Sequence, residues 1–427
     1  MVRHHVGIDL GTSGLRAEVI NATGESVASL RRSWSRTGRI DEPESWWLAV
    51  IDLLREIVPS IPDEPVTIAI DGTSATLLSL DRNGTPLGPA LMYNDARAAA
   101  EARTLRGIAP SESAAHGATS SAAKLLWLRN QSGLPPASRV LHQAEWIGGR
   151  LQGRFDIGDE NNALKLGYDP IHGRWPQWWL DELGPMQELL PRIVPAGTPL
   201  HRITSRVARD TGLHPDSHVV AGTTDGVAAF LATGVNQPGT GVTSLGSTLV
   251  LKQLSCQPLF DPEAGVYSHR VLGQWLAGGA SNSGGAVLAK HFTAERIAYL
   301  SREIDPAQDS GLDYYPLPGP GERFPISDPS LAARLTPRPR DDALFLHGML
   351  EGIARIEAAG YRRLHALGAP EVERIITVGG GAANPKWNAL RARVTGVPVV
   401  RAEHEEAARG SALLARAGAQ TLKDQRV

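Results

Sequence analysis

The most restrictive feature of this 427-residue sequence is a local pattern that recurs along the chain. An apolar segment runs into an acidic residue and then into a loop of glycine, threonine and serine, once at residues 8–13 and again at residues 70–74. A related loop, residues 244–248, lies between two apolar segments in the second half of the chain. Such loops are common in hairpins, but their repetition at strand ends favours a functional role and a duplicated architecture.

Strand patterns alternate with helical patterns over the rest of the chain, which indicates an α/β protein. The clearest helix is predicted for residues 41–58, where Asp41 and Glu44 have capping-box spacing and Pro43 lies in the first turn. Its predicted core face consists of apolar residues at helical spacing, namely Trp47, Val50, Ile51, Leu54, Ile57 and Val58. Three more helices are predicted, at residues 122–128, 344–367 and 405–417.

Two further segments are defined by composition. Residues 305–341 are dense in proline and glycine and lack a helical period, so they are interpreted as a long ordered loop. Residues 403–406, with the sequence Glu-His-Glu-Glu, are interpreted as the solvated start of the last helix.

Composition excludes several classes of protein. Lys and Arg total 43 against 45 Asp and Glu, so the chain has no basic field for nucleic acid. The single cysteine, Cys256, excludes an intrachain disulfide, and no apolar run approaches the ~18 residues of a membrane span. The N-terminus enters a strand pattern at once, so no signal peptide and a cytoplasmic location are expected. At ~150 residues per domain, two to three domains are expected.

The loops offer candidate phosphate contacts. The chain contains no Gly-Lys pair and hence no Walker A motif, so phosphate would be held by backbone N–H groups and hydroxyls at residues 11–14 and 246–248. Asp9 ends the strand before the first loop. Its carboxylate is suited to hold Mg²⁺ beside a polyphosphate, or else it caps a turn.

Two other segments carry open alternatives. Asp225 follows a strand and precedes a helix, where it serves either as a helix N-cap or as a general base. Residues 379–381 form a glycine triplet after an apolar strand, but Asn384 breaks the dinucleotide fingerprint. The triplet would let a base or ribose approach the backbone. Trp387 is then either an adenosine contact or a core residue.

In this order, the segments resemble the FGGY carbohydrate kinases of the sugar kinase–actin–Hsp70 superfamily. Besides the segments described above, the resemblance rests on residues 93–97, 124–127, 222–225 and 278–282. It implies two actin-like (ribonuclease H-like) ATPase domains flanking a central cleft. The sugar-binding domain would comprise residues 1–232, with a C-terminal helix at 405–427 packing back on it. The ATP-binding domain would comprise residues 233–404.

The resemblance also implies roles for individual residues. Asp225 and Asp9 would be catalytic: Asp225 as the base for the sugar hydroxyl, and Asp9 orienting Mg²⁺, directly or through water. Ser74, Asp225 and Asp9 would contact the sugar. The residues expected to meet ATP are Thr12, Ser13, Gly246 and Ser247 at the phosphates, and Gly380, Gly381, Asn384 and Trp387 at adenosine. Gly226 replaces a residue that is polar in some relatives, and the Arg-Glu pattern of glycerol kinases is absent.

Residues 162–168, 311–318 and 321–326 are most similar to the short plant and cyanobacterial D-ribulose kinases. The resemblance therefore implies phosphorylation of D-ribulose at C5 with ATP and Mg²⁺, with D-xylulose as the alternative substrate. An alternative of another class is a non-catalytic, ATP-dependent sugar sensor, which would have little need for both Asp9 and Asp225. The expected partner is a small sugar, with no nucleic acid or membrane, and the expected state is a monomer or homodimer.

Overall fold

The computed structural model describes residues 2–34, 40–131 and 139–424. The chain divides into two compact units. The first comprises Met1–Gly234, His269–Gly273 and Glu406–Val427, and the second comprises Val235–Ser268 and Gln274–Glu405. Residues 269–273 thus group with the first unit, although they lie inside the 233–404 range expected for the second domain.

The strands of the described residues are, in chain order, β1 His4–Leu10, β2 Gly14–Asn21, β3 Ser26–Ser33, β4 Val66–Gly72, β5 Leu77–Leu80, β6 Arg139–His142, β7 Ile157–Asp159, β8 Arg192–Val194, β9 Pro199–Arg202, β10 His218–Thr224, β11 Thr240–Leu245, β12 Leu249–Ser255, β13 Tyr267–Val271, β14 Gln274–Ser281, β15 Arg374–Val378 and β16 Val399–Arg401.

The α-helices are α1 Pro43–Ile57, α2 Ala99–Ile108, α3 Ser121–Asn130, α4 Gln143–Gln152, α5 Glu160–Ala163, α6 Gln177–Leu183, α7 Ser205–Thr211, α8 Asp225–Ala232, α9 Gly285–Ala289, α10 Ala294–Ser301, α11 Asp342–Ala366, α12 Pro385–Thr395 and α13 Ala407–Asp424. Short 3₁₀ helices occupy Val58–Ser60, Leu164–Leu166, Gly184–Leu189 and Gly380–Ala383. None of the helices in the described part of the chain is long and apolar enough to cross a membrane.

The main sheet of the first unit has the strand order β3-β2-β1-β4-β10-β9. Strands β1, β2 and β3 form an antiparallel meander, which confirms the prediction from the turn residues, whereas β1, β4 and β10 run parallel. In this register Asp9 pairs with Asp71, and Asp71 pairs with Thr223. The carboxyl ends of three parallel strands therefore meet at one edge of the sheet.

The sheet of the second unit has the order β13-β14-β12-β11-β15-β16. Strand β12 is antiparallel to both β11 and β14, whereas β11, β15 and β16 are parallel. An antiparallel meander joined to parallel strands thus occurs in each unit, which confirms the predicted duplication. The loop between β11 and β12 holds the place that the loop between β1 and β2 holds in the first unit.

Close backbone packing fixes the elements around the first sheet. Helix α13 packs against β1, β4 and α8. A Cβ added to Gly410 would lie 1.8 Å from the Ala228 carbonyl oxygen, so glycine is required where α13 meets α8. At Gly222 a Cβ would lie 1.8 Å from the Ile70 carbonyl oxygen, and a register shift in β10 occurs there.

The helix predicted at residues 41–58 is present, but its predicted capping box is not. Glu42 occupies the N-cap position and no side chain caps the helix, so there is no capping box. Trp47 is partly buried against the core, as predicted, while Trp46, which was not predicted there, is fully buried and its indole N–H donates to the Ile40 carbonyl at 2.8 Å. The predictions at residues 122–128 and 344–367 are confirmed by α3 and α11.

The C-terminal helix also differs from its prediction. It begins at Ala407, so residues 403–406 precede it, and their interpretation as a solvated helix start is wrong. The Glu405 carboxylate accepts a hydrogen bond from the Gly379 N–H at 2.8 Å, and Glu406 forms ion pairs with Arg16 and Arg31.

Residues 305–341 contain no helix or regular strand. Within this segment the side chains of Tyr314 and Phe324 are buried. The interpretation of these residues as a long ordered loop is therefore confirmed.

Candidate active site

Two carboxyl groups face each other at the edge of the first sheet. Asp9 is buried on β1 and accepts a hydrogen bond from Arg16 Nη1 at 2.7 Å. Asp71 is buried on β4 and accepts one from the Ser411 hydroxyl of α13 at 2.6 Å. Burial, and then the charge of Asp9, raise the pKa of Asp71 well above its usual range. Burial also raises the pKa of Asp9, but hydrogen bonds from Asp71 and then Arg16 oppose this shift, so Asp71 is the member that keeps a proton.

Asp225 lies at the end of the neighbouring parallel strand. It is the first residue of α8, and Thr224 occupies the N-cap position, so the interpretation of Asp225 as the N-cap is wrong. Its carboxylate accepts a hydrogen bond from the Gly226 N–H at 2.6 Å, and its side chain is only partly buried. The charge of Asp225 contributes to the raised pKa of Asp71. Asp9, Asp71 and Asp225 therefore form one acidic group at this edge.

The loop between β1 and β2 lies beside this group. Thr12 and Ser13 are exposed, and the Trp34 indole N–H donates to the Gly11 carbonyl at 2.8 Å. Arg16 connects the loop to Asp9, because its Nη2 donates to the Ser13 hydroxyl at 3.3 Å while its Nη1 contacts the Asp9 carboxylate. A cation thus lies where phosphate was predicted to bind.

Neither Arg16 nor Asp71 was predicted as a site residue. Arg16 lies directly opposite Asp9 in the β1–β2 pairing, so a predicted hairpin register would have found it as a cross-strand partner. Asp71 was visible as part of a repeated motif, but its contact with Asp9 depends on the parallel pairing of β1 with β4.

Ser74 follows β4 at the same edge of the sheet. It occupies a turn in which the Thr76 N–H donates to the Thr73 carbonyl at 3.2 Å. Ser74 is partly exposed, whereas Thr73, Ala75 and Thr76 are buried. Its hydroxyl is therefore on the accessible corner of a turn three residues after Asp71.

The predicted phosphate loop of the second unit packs against the start of α9. The Gly285 N–H donates to the Gly246 carbonyl at 2.8 Å, and the Ala286 N–H donates to the Ser247 carbonyl at 3.1 Å. A Cβ added to Gly246 would meet no atom within 4 Å, and Ser247 is exposed. Both residues are thus accessible to a ligand.

A cavity of about 670 Å³ opens beside this loop in the second unit. Its lining includes all four predicted adenosine contacts, together with residues of α9 and α10: Gly285, Leu288, Ala294, Ile297, Ala298, Gly380, Gly381, Asn384 and Trp387. Pockets of this size accommodate small organic ligands and cofactors. The structure therefore places the four predicted adenosine contacts in one cavity with residues of α9 and α10.

Two of the four predicted adenosine contacts, Asn384 and Trp387, also have structural roles. Asn384 is the N-cap of α12, since its Oδ1 accepts from the N–H groups of Lys386 and Trp387, and its Nδ2 donates to the Ser301 hydroxyl at 2.8 Å. Trp387 is 3% exposed and its indole N–H donates to the Leu350 carbonyl at 3.1 Å. Trp387 is therefore a core residue that also lines the cavity.

The first unit offers Mg²⁺ a carboxylate ligand rather than a complete set of protein ligands. No group of three or more His, Cys, Asp or Glu residues suited to a metal occurs within residues 2–34, 40–131 and 139–424. Protein-bound Mg²⁺ typically takes one or two carboxylates and completes its shell with water and phosphate oxygens. Asp9 offers a carboxylate of this kind.

The two related sheets, each with a Gly-Ser or Gly-Thr loop after its first long strand, define a two-domain actin-like ATPase fold. The FGGY carbohydrate kinase N-terminal domain model matches residues 4–232, and the C-terminal domain model matches residues 241–419. The chain belongs to the FGGY family of carbohydrate kinases, whose members use ATP with Mg²⁺. The predicted family, fold class and cofactors are confirmed.

Individual relatives match over nearly the whole chain. The xylulose kinase of Staphylococcus xylosus is 23% identical and covers 97% of this chain and 91% of its own length. The xylulose kinase of Streptomyces rubiginosus is 29% identical, covering 92% and 82%. The solved structure of ligand-bound xylulose kinase from Lactobacillus acidophilus has a TM-score of 0.85 at 20% identity, covering 99% and 90%, which supports the fold.

Proposed function

We propose that this carbohydrate kinase transfers the γ-phosphoryl group of ATP to the terminal hydroxyl of a pentulose, with D-xylulose as the first candidate substrate. The observation that carries the proposal is the group formed by Asp9, Asp71 and Asp225 at one sheet edge, beside an exposed hydroxyl-bearing loop. The full-length relatives named xylulose kinase support D-xylulose over the D-ribulose implied by the earlier resemblance.

In this proposal Asp225 is the general base. Its carboxylate is partly exposed at the start of α8, so a sugar hydroxyl can reach it. Phosphoryl transfer has a loose transition state, so placement and charge neutralisation supply most of the rate. Proton acceptance by a positioned base contributes about 10²–10⁴-fold.

Asp9, Arg16, Thr12 and Ser13 would act at the phosphate end of the reaction. Asp9 would hold Mg²⁺, directly or through water, and the bound ion would offset charge on the phosphate oxygens. The Arg16 guanidinium already contacts both Asp9 and Ser13, so it adds a second positive charge there. Ser74, Asp9 and Asp225 are the proposed sugar contacts.

The second unit would hold the nucleotide. Gly246 and Ser247 would contact phosphate, and Gly380, Gly381, Asn384 and Trp387 would surround adenosine. Because the Asn384 amide is already bonded to Lys386, Trp387 and Ser301, its contribution would be to shape the cavity. We likewise assign the sugar to the first FGGY domain, 1–232 with 405–427, and ATP to 233–404.

D-Ribulose is the second candidate, favoured by the similarity of residues 162–168, 311–318 and 321–326 to D-ribulose kinases. D-Xylulose and D-ribulose differ at one hydroxyl configuration, which a site distinguishes through a few hydrogen bonds. The deciding experiment measures ADP release with Mg-ATP against D-xylulose, D-ribulose, L-ribulose, glycerol and no sugar.

The wild-type protein and Asp225→Asn would be assayed together. Turnover with one pentulose, lost in the variant, supports the proposal. Binding of sugar and ATP without turnover would favour the sugar sensor, and turnover with glycerol alone would overturn the pentulose assignment.

A further inference from the structure

The turn that carries Ser74 has an unusual backbone. Ala75 has φ of 69°, in the left-handed region that favours glycine, and it is the third residue of the turn closed between Thr73 and Thr76. A side chain with a Cβ is strained in this conformation. Ala75 is also buried, so it has no open space in which to relax. Contacts from the surrounding structure must therefore hold the turn.

One of these contacts is a buried lysine. Lys124 lies on α3 with 0% exposure, and its Nζ donates to the Ala75 carbonyl at 2.8 Å and to the Met92 carbonyl at 2.7 Å. Lysine is almost never fully buried without a strong reason, because its charge loses hydration. Burial lowers the pKa of Lys124 to about 8, while the charge of Asp95 opposes the shift and those of Lys165 and Arg97 add to it.

The two carbonyls belong to adjoining segments. The Tyr93 N–H donates to the Thr76 hydroxyl at 3.0 Å, and that hydroxyl also contacts the Thr73 hydroxyl at 2.6 Å. The Ser74 turn and the segment after Met92 are thus bonded to each other, and Lys124 bonds to both. Beyond Met92 the chain presents the exposed side chain of Tyr93 and then Asp95, which forms an ion pair with Arg97.

We propose that Lys124 is a positioning residue for sugar phosphorylation. By holding the Ala75 and Met92 carbonyls, its ammonium group fixes the Ser74 hydroxyl and the 93–95 segment in the geometry that the sugar requires. This inference rests on the proposed function, because Ser74 is a proposed sugar contact. A lysine that only stabilised the core would support nucleotide and sugar use equally.

The test compares Lys124→Met with Arg129→Met. Methionine keeps the length of the stem but removes the donors. Arg129 lies on the same helix and donates to the Glu182 carbonyl at 2.8 Å as well as to the Glu182 carboxylate, so its loss is a control for the removal of a cation and its contacts from α3. In Lys124→Met we expect kcat/KM for the sugar to fall about 10²-fold, the cost of an ångström-scale misplacement, with the KM for ATP changed less than about 2-fold. Arg129→Met should leave both near wild type.

A double-mutant cycle with Ala75→Gly tests the mechanism. Glycine adopts this φ without strain, so the loss caused by Lys124→Met should be at least about 5-fold smaller in the Ala75→Gly background. Should Lys124→Met fail to fold, Lys124→Arg retains the charge and moves the donors. It should lower kcat/KM for the sugar while its unfolding midpoint stays near that of wild type.

Amide hydrogen exchange separates this inference from the proposed function. In Lys124→Met, exchange should rise at residues 73–76 and 92–95 and not in the second unit, whichever sugar the enzyme accepts. Unchanged exchange at both segments, an unchanged kcat/KM for the sugar, or an equal loss in Arg129→Met would overturn the positioning role. Absence of turnover with any pentulose in the wild-type protein would overturn the proposed function and with it the positioning role, whereas the exchange result would show separately whether Lys124 holds the two segments.

Discussion

Asp9 and Asp71 lie directly opposite each other on the parallel strands β1 and β4, and both side chains are buried. Each has a different second partner: Arg16 donates to Asp9, and the Ser411 hydroxyl donates to Asp71. Two adjacent carboxylates do not both ionise readily in a buried site. The guanidinium beside Asp9 and the neutral hydroxyl beside Asp71 therefore assign the charge to Asp9 and the proton to Asp71.

This asymmetry predicts unequal effects of two matched substitutions. Asp71→Asn replaces a neutral acid with a neutral amide, so kcat/KM should stay within about 10-fold of wild type. Asp9→Asn removes the charge that pairs with Arg16 and would hold Mg²⁺, so kcat/KM should fall by at least about 10²-fold. Steady-state ADP release at saturating Mg²⁺ measures kcat/KM for both variants. An equally severe loss in Asp71→Asn would mean that Asp71 is charged in the working enzyme.

Substitution of Asp225 tests the proposed base. Asp225→Asn should lower kcat by about 10²–10⁴-fold, since the amide cannot accept the hydroxyl proton. The cavity proposed to hold the nucleotide is lined by residues of the second unit, so the Kd for Mg-ATP, measured by calorimetry, should stay near that of wild type. Asp216→Asn is the control, because Asp216 forms an exposed ion pair with Arg202 and precedes β10. Wild-type turnover in Asp225→Asn would contradict the assignment.

Local patterns were enough to predict the meander, the loop positions and the placement of Asp9 and Asp225 at strand ends, whereas Ser74 was named only through the family resemblance. In each case a short strand runs into turn residues whose conformational preferences do not depend on distant packing. The loop at residues 305–341 was predictable for the same reason, since its proline and glycine content opposes both helix and strand.

Features that depend on packing between distant segments were not predictable in this way. Trp46 was left out of the predicted core face of α1 because neighbouring positions on a helix differ by only 100°, and its contact with Trp146 depends on packing between helices distant in sequence. Asp71 entered the site through strand pairing with β1, and Ser411 reaches it from α13 near the end of the chain. The cavity likewise is lined by α10 and α12, which are more than 80 residues apart in the chain.

The contact between α13 and α8 predicts a strong effect of one methyl group. In Gly410→Ala the new Cβ would lie 1.8 Å from the Ala228 carbonyl oxygen, so the helices must separate. Overpacking of this kind costs about 1–3 kcal/mol in the free energy of unfolding.

Gly107→Ala on α2 is the control: its Cβ would meet nothing within 4 Å, and it should stabilise by about 0.5–1 kcal/mol. Urea unfolding with both variants measures the difference, and a neutral Gly410→Ala would contradict the close packing.

The buried His5 predicts a loss of stability in mild acid. Burial, followed by the charges of Arg416, His4 and Lys423, lowers the pKa of His5 from 6.5 to about 4, and its Nδ1 lies 2.7 Å from the Thr67 hydroxyl. Because the folded-state pKa lies below the unfolded one, this contribution is present above pH 6.5 and is lost as the pH falls toward 4. Between pH 7 and pH 5 the loss in the free energy of unfolding due to His5 amounts to about 1–2 kcal/mol.

Urea unfolding should therefore show wild type losing more stability than His5→Gln over that interval, with a constant difference between the two proteins from pH 7 to pH 8. Parallel losses in both proteins down to pH 5 would show that His5 is protonated in the folded state.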